Sequence, residues 1–181
     1  MSSLPDFPLF PDPLREDVFE KSKKTCTFCK QARGWVYTSS IYGEGDVSEA
    51  ICCPWCIADG TAAKHGAFFH DGSIFPVLPG TPQLTAADRE LVEKRTPGFT
   101  TWQDHGWQIC CGRACIYLGE ADEGDLQGRW AGAVESIFKN DDFPEEEIEE
   151  MVEGVAKGGS PAAYVFKCQT CGKLHGFWDC D

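Results

Sequence analysis

Eleven cysteines in a chain of 181 residues, eight of them in four close pairs, constrain this sequence more than any other feature. Cys26-Thr27-Phe28-Cys29 and Cys53-Pro54-Trp55-Cys56 lie in the first third. Cys111-Gly112-Arg113-Ala114-Cys115 and Cys168-Gln169-Thr170-Cys171 lie in the second half. Structural zinc takes four deprotonated thiolates at the corners of a tetrahedron, and two short-spaced pairs brought together supply them. The spacing therefore predicts two structural Zn2+ sites. One uses Cys26, Cys29, Cys53 and Cys56, with 23 residues between its knuckles, enough for a hairpin. The other uses Cys111, Cys115, Cys168 and Cys171, with 52 residues between them.

Some ligands have neighbours that compete for the role. Cys52 and Cys110 precede assigned ligands. Cys53 is preferred because the gap to Cys56 is then two residues. Cys111 is preferred because pairing Cys110 with Cys115 leaves four residues between them. His65 and His175 lie near knuckles and are alternatives to a thiolate, and Cys180 is the spare thiol. An internal echo accompanies the pairs. Gly34-Trp35 follows Cys29 as Gly176-Phe177 follows Cys171, and Cys56-Ile57-Ala58-Asp59-Gly60 resembles Cys115-Ile116-Tyr117-Leu118-Gly119. Two related metal modules with reversed knuckle order would look like this.

The odd cysteine total and the Pro-rich, acidic start from Met1 to Pro13 argue against a secreted disulfide scaffold. The expectation is a cytoplasmic protein. No apolar run approaches the roughly 20 residues of a membrane span. Cys53-Pro54-Trp55-Cys56 ahead of a short helix also reads as a thiol redox motif, but such motifs need no partner pair like Cys26 and Cys29. A catalytic zinc keeps an open position and usually includes His. His65, His70, His105 and His175 form no ligand pair, and Asp59, Asp71, Asp104 and Asp179 form no paired carboxylates. No phosphate loop, serine nucleophile or dinucleotide motif is present.

Charge is uneven. Of the net −13, the stretch from Glu120 to Glu153 carries −11, with thirteen acids against Arg129 and Lys139. Such a face opposes nucleic acid, which needs Lys and Arg, and favours a basic protein partner. The one basic cluster is Lys21 to Lys24 with Lys30 and Arg33, at the first knuckle.

Local pattern fills in the rest. Phe7, Leu9, Phe10 and Leu14 would dock a Pro-rich N-terminal stretch. Gly34 to Tyr37 with Ile41-Tyr42 reads as a hairpin, turning at Gly43 to Asp46. Ile57 to Lys64 reads as a short helix weakened by Gly60. Phe68 to Gly80 reads as loop or short strand. Thr85 to Asp88 resembles a capping box opening a helix through Arg95, and Pro97-Gly98 marks its exit. Phe99, Trp102 and Trp107 read as core rings. Leu126, Trp130, Ala133, Val134, Ile137 and Phe138 share one helical face. Pro144 and Glu145 to Glu147 begin a second helix, with Ile148, Met151, Val152 and Val155 as its apolar stripe and Lys157-Gly158 at its end. Tyr164 to Phe166 and Phe177-Trp178 read as strands around the last knuckle.

Several motifs together resemble the CbrC family of bacterial proteins. They are Phe7 to Pro13, Cys26 to Cys29 with Gly34 to Tyr37, and Cys53 to Gly60 with Ala62-Ala63. Arg95 to Phe99, Trp102-Gln103, Trp107, Cys111 with Cys115, and Tyr164 to Gly172 continue the pattern. Cys110 and the helices between Leu126 and Lys157 depart from it. The resemblance implies tolerance of a DNase-type colicin, or immunity to a toxin. The acidic face around Glu145, Glu146, Glu149 and Glu150 would then contact a basic toxin.

The expected fold is α+β. Two treble-clef or zinc-ribbon-like four-cysteine modules with short hairpins pack with two to four helices. The chain reads as one compact unit, 1–181. Its first zinc module is 20–66, and its second, 97–181, carries an acidic helical insert at 120–158. The expected function is non-enzymatic, zinc-stabilised binding of a basic protein that gives toxin tolerance. A zinc-dependent hydrolase or a thiol oxidoreductase using Cys53-Pro54-Trp55-Cys56 is the alternative.

Overall fold

Apolar residues upstream and downstream of the first two cysteine pairs meet in an aromatic core. The computed structural model describes residues 3–70, 84–103, 106–138 and 143–181. Asp71, Asp104, His105, Lys139 and the 71–80 part of the expected loop lie outside the described residues. The chain divides into two compact units. The first takes the described residues of Met1–Ile74 and Thr85–Thr100, and the second those of Phe75–Leu84 and Thr101–Asp181.

In the first unit the N-terminal stretch docks through Phe7, Leu9 and Phe10, all buried. Leu14 differs from expectation: it sits in a turn and is 44% exposed. Phe7 stacks on Phe19 at 5.6 Å, Phe19 meets Tyr37 at 5.8 Å, and Tyr37 meets Phe69 edge-on at 5.4 Å. This run of rings decides the strand pairing. β1 (Phe19–Lys21) pairs antiparallel with β2 (Trp35–Tyr37), Phe19 opposite Tyr37. The expected hairpin of Gly34–Tyr37 with Ile41-Tyr42 therefore does not form. Pairing β2 with the upstream strand buries Phe19, and Tyr42 bridges to Phe68 instead. Gly45–Glu49 makes a 3₁₀ turn.

Gly60 does more than weaken the following helix. It takes φ +76, the left-handed region that favours glycine, and splits the segment into α1 (Pro54–Ala58) and α2 (Thr61–Lys64). The capping reading at Thr85 holds: Thr85 Oγ1 accepts from the Asp88 N–H at 3.0 Å and opens α3 (Ala86–Arg95). At the end of α3 the Arg95 guanidinium donates from Nε and Nη2 to the Ala58 carbonyl, at 3.0 and 2.8 Å, satisfying an open acceptor near the end of α1. The Gly98 N–H donates to the buried Tyr37 hydroxyl at 2.9 Å.

The second unit is built on a three-stranded antiparallel sheet, β5 (Ile116–Ala121), β6 (Ala162–Lys167) and β7 (Leu174–Asp179), with β6 in the middle. A small hairpin, β3 (Ile109–Cys110) with β4 (Arg113–Ala114), precedes it. From Ala162 to Phe166 every residue of β6 is buried. Ala163 and Val165 join Leu126, Trp130, Ala133, Ile137, Phe138, Ile148, Val152 and Val155 in one cluster. Phe166 instead joins Trp107 (5.5 Å) and Tyr117 (5.0 Å), while Tyr164 stacks on Phe177 (4.9 Å). The period-2 alternation of β6 thus feeds two different sets of partners.

The stripe expected as one helix from Leu126 to Phe138 is broken into α4 (Glu123–Gln127), a 3₁₀ turn (Ala131–Ala133) and α5 (Val134–Phe138). Gly128 and Gly132 supply little helix propensity there, yet Leu126, Trp130, Ala133, Ile137 and Phe138 are buried as their spacing implied. α6 (Glu145–Gly154) follows, with Pro144 at its N-cap and Ile148 and Val152 buried. It ends at Val155 rather than at Lys157-Gly158. Phe99 and Trp107 are core rings, but Trp102 is 49% exposed, its indole N–H donating to the Gly159 carbonyl at 2.7 Å. The backbone there is held by Asp179, whose Oδ2 accepts from the N–H groups of Trp102 and Gln103 at 2.7 and 2.9 Å.

The Tyr37 hydroxyl offers a direct test of the first unit. Tyr37→Phe leaves the Gly98 N–H without its acceptor inside the fold, which costs about 1–3 kcal/mol. Urea unfolding should show a lowered midpoint with unchanged slope, and an unchanged midpoint would contradict the bond's role.

Candidate metal centres

Each tetrad joins a knuckle to a second, differently built element. The first knuckle turns tightly: the Cys26 N–H donates to the Gln31 carbonyl at 2.9 Å and the Lys30 N–H to the Cys26 carbonyl at 3.0 Å. Lys30 has φ +58. The last knuckle repeats this. The Cys168 N–H donates to the Lys173 carbonyl at 2.9 Å, the Gly172 N–H donates to the Cys168 carbonyl at 3.1 Å, and Gly172 has φ +73. One half of the sequence echo is therefore a real structural repeat. The other half is not: Cys56 to Ala58 is helix, whereas Ile116 to Gly119 is strand.

In the first unit, Cys53 is the N-cap of α1 and Cys56 lies in its first turn. Knuckle plus helix N-terminus is the treble-clef arrangement. The four sulfurs of Cys26, Cys29, Cys53 and Cys56 all lie within 4.8 Å of one another. Cys26 and Cys56 are 3.7 Å apart, Cys29 and Cys53 3.8 Å, and Cys53 and Cys56 3.6 Å. A tetrahedral ion with metal–sulfur bonds of about 2.3 Å has sulfur–sulfur edges of about 3.8 Å, and these three separations match that length. Cys52 stays out of the tetrad. It is fully buried, and its hydrogen bond with Cys26, aided by burial, pushes its thiol far up. The same bond is the largest influence holding Cys26 down, to about 3. Burial opposes it, and the N–H groups of Cys29, Cys53 and Phe28 reinforce it. Burial pushes the Cys53 thiol up, to about 11.

The second tetrad differs from the spacing argument in one ligand. The sulfurs gathered are Cys110, Cys111, Cys168 and Cys171, and Cys115 is not among them. Cys111 and Gly112 have φ +53 and +71, so they form a two-residue turn of the kind that closes β3 on β4. Adjacent cysteines at a hairpin tip can both reach the knuckle: Cys110 lies 3.8 Å from Cys111 and 3.7 Å from Cys171. These are again tetrahedral edges. Cys115 lies past the hairpin and is fully buried. Its N–H donates to the Gln108 carbonyl at 2.9 Å and its carbonyl accepts from the Trp107 indole at 3.0 Å. Burial pushes its thiol up to about 12. Burial disfavours the Cys168 thiolate, but the N–H groups of Cys171 and Thr170, together with the Cys171 and Cys110 side chains, outweigh it and hold Cys168 down, to about 6. The missed signal was Cys111-Gly112 itself, a turn pair that makes a hairpin tip of what resembled a wide knuckle.

The remaining candidates fall elsewhere. Neither His65 nor His175 belongs to a tetrad; His65 packs near the Phe28 ring, and desolvation lowers His175. His70 is buried against Phe99. In the basic cluster, Lys21 sits 5.8 Å from the Trp35 ring and Arg33 4.2 Å from the Trp55 ring. Glu145, Glu146, Glu149 and Glu150 are all exposed on α6. Among the described residues no helix is long and apolar enough to cross a membrane.

The fold and its two tetrads define a mixed α and β protein with two four-thiolate sites positioned for metal ions. The chain belongs to the uncharacterised protein family UPF0167, whose sequence model matches residues 4–180. It is similar to the UPF0167 protein PA1536 of Pseudomonas aeruginosa, 38% identical over 175 residues that cover 95% of this chain and 94% of the relative. It is also similar to the UPF0167 proteins Mb2317 of Mycobacterium bovis and MT2352 of Mycobacterium tuberculosis, each 36% identical over 173 residues, 93% of this chain and 89% of the relative. No solved structure matches it.

Metal analysis of purified variants separates the two possible ligands of the second site. Cys110→Ser should lower zinc from two equivalents per chain to one, whereas Cys115→Ala should leave both. Full zinc in the Cys110 variant would return the ligand role to Cys115.

Proposed function

We propose that this protein is a non-enzymatic binding protein, held in shape by two zinc ions, that captures a basic protein on the acidic face of α6. The observation that carries the reading is the composition of that helix. Glu145–Gly154 holds six glutamates and no base, and all six are exposed. Its apolar side is already committed, with Ile148 and Val152 buried and Met151 partly so. The outward side therefore offers charge alone, which speeds and orients the approach of a positive partner.

The resemblance to the CbrC family adds a biological direction: tolerance of, or immunity to, a bacterial toxin. Nuclease toxins suit the charge, since a protein that binds phosphates carries Lys and Arg. In this reading the zinc ions are scaffold. Cys53 and Cys56 are then ligands of the first zinc ion rather than a redox pair.

Cells producing the chain, challenged with DNase-type colicins, provide the test. Protection should be lost on replacing Glu145, Glu146, Glu149 and Glu150 together by Lys, and should weaken on replacing them by Gln. Circular dichroism would verify that both variants fold. Protection that survives the Lys variant would refute the acidic-face mechanism.

A further inference from the structure

The two tetrads are unequally sheltered. In the first, Cys26, Cys53 and Cys56 are each 1% exposed, and Cys29 is half-buried. In the second, only Cys168 is buried; Cys110 is half-buried, and Cys111 and Cys171 are exposed. The supporting elements differ in the same sense. Cys53 and Cys56 are fixed in the first turn of α1, under the Cys26 knuckle. Cys110 and Cys111 stand at the tip of a hairpin whose strands have two residues each.

We propose that the second tetrad is a thiol-modification and metal-release site, at which hydroperoxides oxidise Cys171 and Cys110 to a disulfide while the first tetrad keeps its metal. Accessibility and electron density select the sulfur attacked. Cys168 is buried and accepts N–H bonds from Thr170 and Cys171 at 3.3 and 3.4 Å, which draw charge from its sulfur. Cys171 is exposed, and no backbone N–H among the described residues donates to it. Its thiolate attacks the O–O bond of the peroxide. A sulfur–oxygen bond forms, the O–O bond breaks, and the departing oxygen takes a proton as water or alcohol. Cys171 is left as a sulfenic acid.

Cys110 is placed to resolve it, its sulfur 3.7 Å from that of Cys171 and 61 residues away in sequence. The Cys110 thiolate attacks the Cys171 sulfur, a sulfur–sulfur bond forms, the sulfur–oxygen bond breaks, and hydroxide leaves as water. Two electrons have passed from two sulfurs to the peroxide. Cys111 is equally close to Cys110 at 3.8 Å, but joining adjacent residues closes a strained eight-membered ring, so the long-range bond is favoured. With two of four thiolates consumed, Cys111 and Cys168 alone no longer make a closed tetrahedral site. A small dithiol would reverse the change by thiol–disulfide exchange.

The test uses the full-length, zinc-loaded chain treated with hydrogen peroxide beside a zinc-binding dye, with disulfides mapped by mass spectrometry. One zinc equivalent should leave, a Cys110–Cys171 disulfide should accumulate in step, and dithiothreitol with added zinc should restore the starting state. Iodoacetamide footprinting of the untreated chain, which needs no variant, should label Cys111 and Cys171 well before Cys26, Cys53 or Cys56. Release of both ions together, loss from the first tetrad first, or a disulfide elsewhere would overturn the proposal. Absence of the second metal centre itself would be seen separately, as fewer than two zinc ions per chain before any peroxide is added.

Discussion

Mutual repulsion among gathered thiolates is the constraint on which the rest of the structure turns. At 3.7 Å, the separation of the Cys26 and Cys56 sulfurs, two thiolates would repel by roughly 4 kcal/mol even at an effective dielectric of about 20. Four such charges do not stay together without a cation. Burial adds to the cost, pushing the Cys53 thiol up and so disfavouring its charged form. A divalent ion would resolve the repulsion, and in doing so would reinforce contacts such as those of Thr27 with Ile51 and of Gln169 with the Ala114 carbonyl. In the first unit it would tie a knuckle to the start of α1. In the second it would tie the tip of the β3–β4 hairpin to the turn between β6 and β7.

Around these sites the two units stabilise themselves differently. The first relies on a chain of rings, Phe7 to Phe19 to Tyr37 to Phe69, because its strands and α1 and α2 are too short to hold one another by backbone bonds alone. The second has a larger sheet whose middle strand is buried from Ala162 to Phe166. Its helices cover one group of those side chains and leave six glutamates of α6 in solvent. Rings and sheet thus hold the frame, the two tetrads are placed to add metal to it, and the charge of α6 is left in solvent.

Local signals in the sequence were legible where one residue type has one physical use. Thr85 capped α3, the stripe at Ile148 and Val152 marked α6, and the cysteine spacings located the first tetrad in full. Signals failed where two arrangements satisfy the same pattern. Trp35 to Tyr37 suits any strand, and only the packing of Phe19 against Phe7 and Tyr37 chose β1 as its partner. The spacing from Leu126 to Phe138 predicts a buried face but not its breaks, because intervening glycines allow a turn that preserves the same exposure. At the second tetrad, a Cys-x-x-x-Cys spacing hid a two-residue turn. The residue it sent inward, Cys115, is buried, and its carbonyl accepts from the Trp107 indole N–H.

X-ray absorption at the zinc edge of the loaded chain tests the account at its centre, because it reports the donor atoms themselves. Two zinc ions per chain, each surrounded by four sulfurs at about 2.3 Å with no nitrogen or oxygen neighbour, is the predicted result. A histidine nitrogen or a water oxygen in the shell, or one ion per chain, would contradict it.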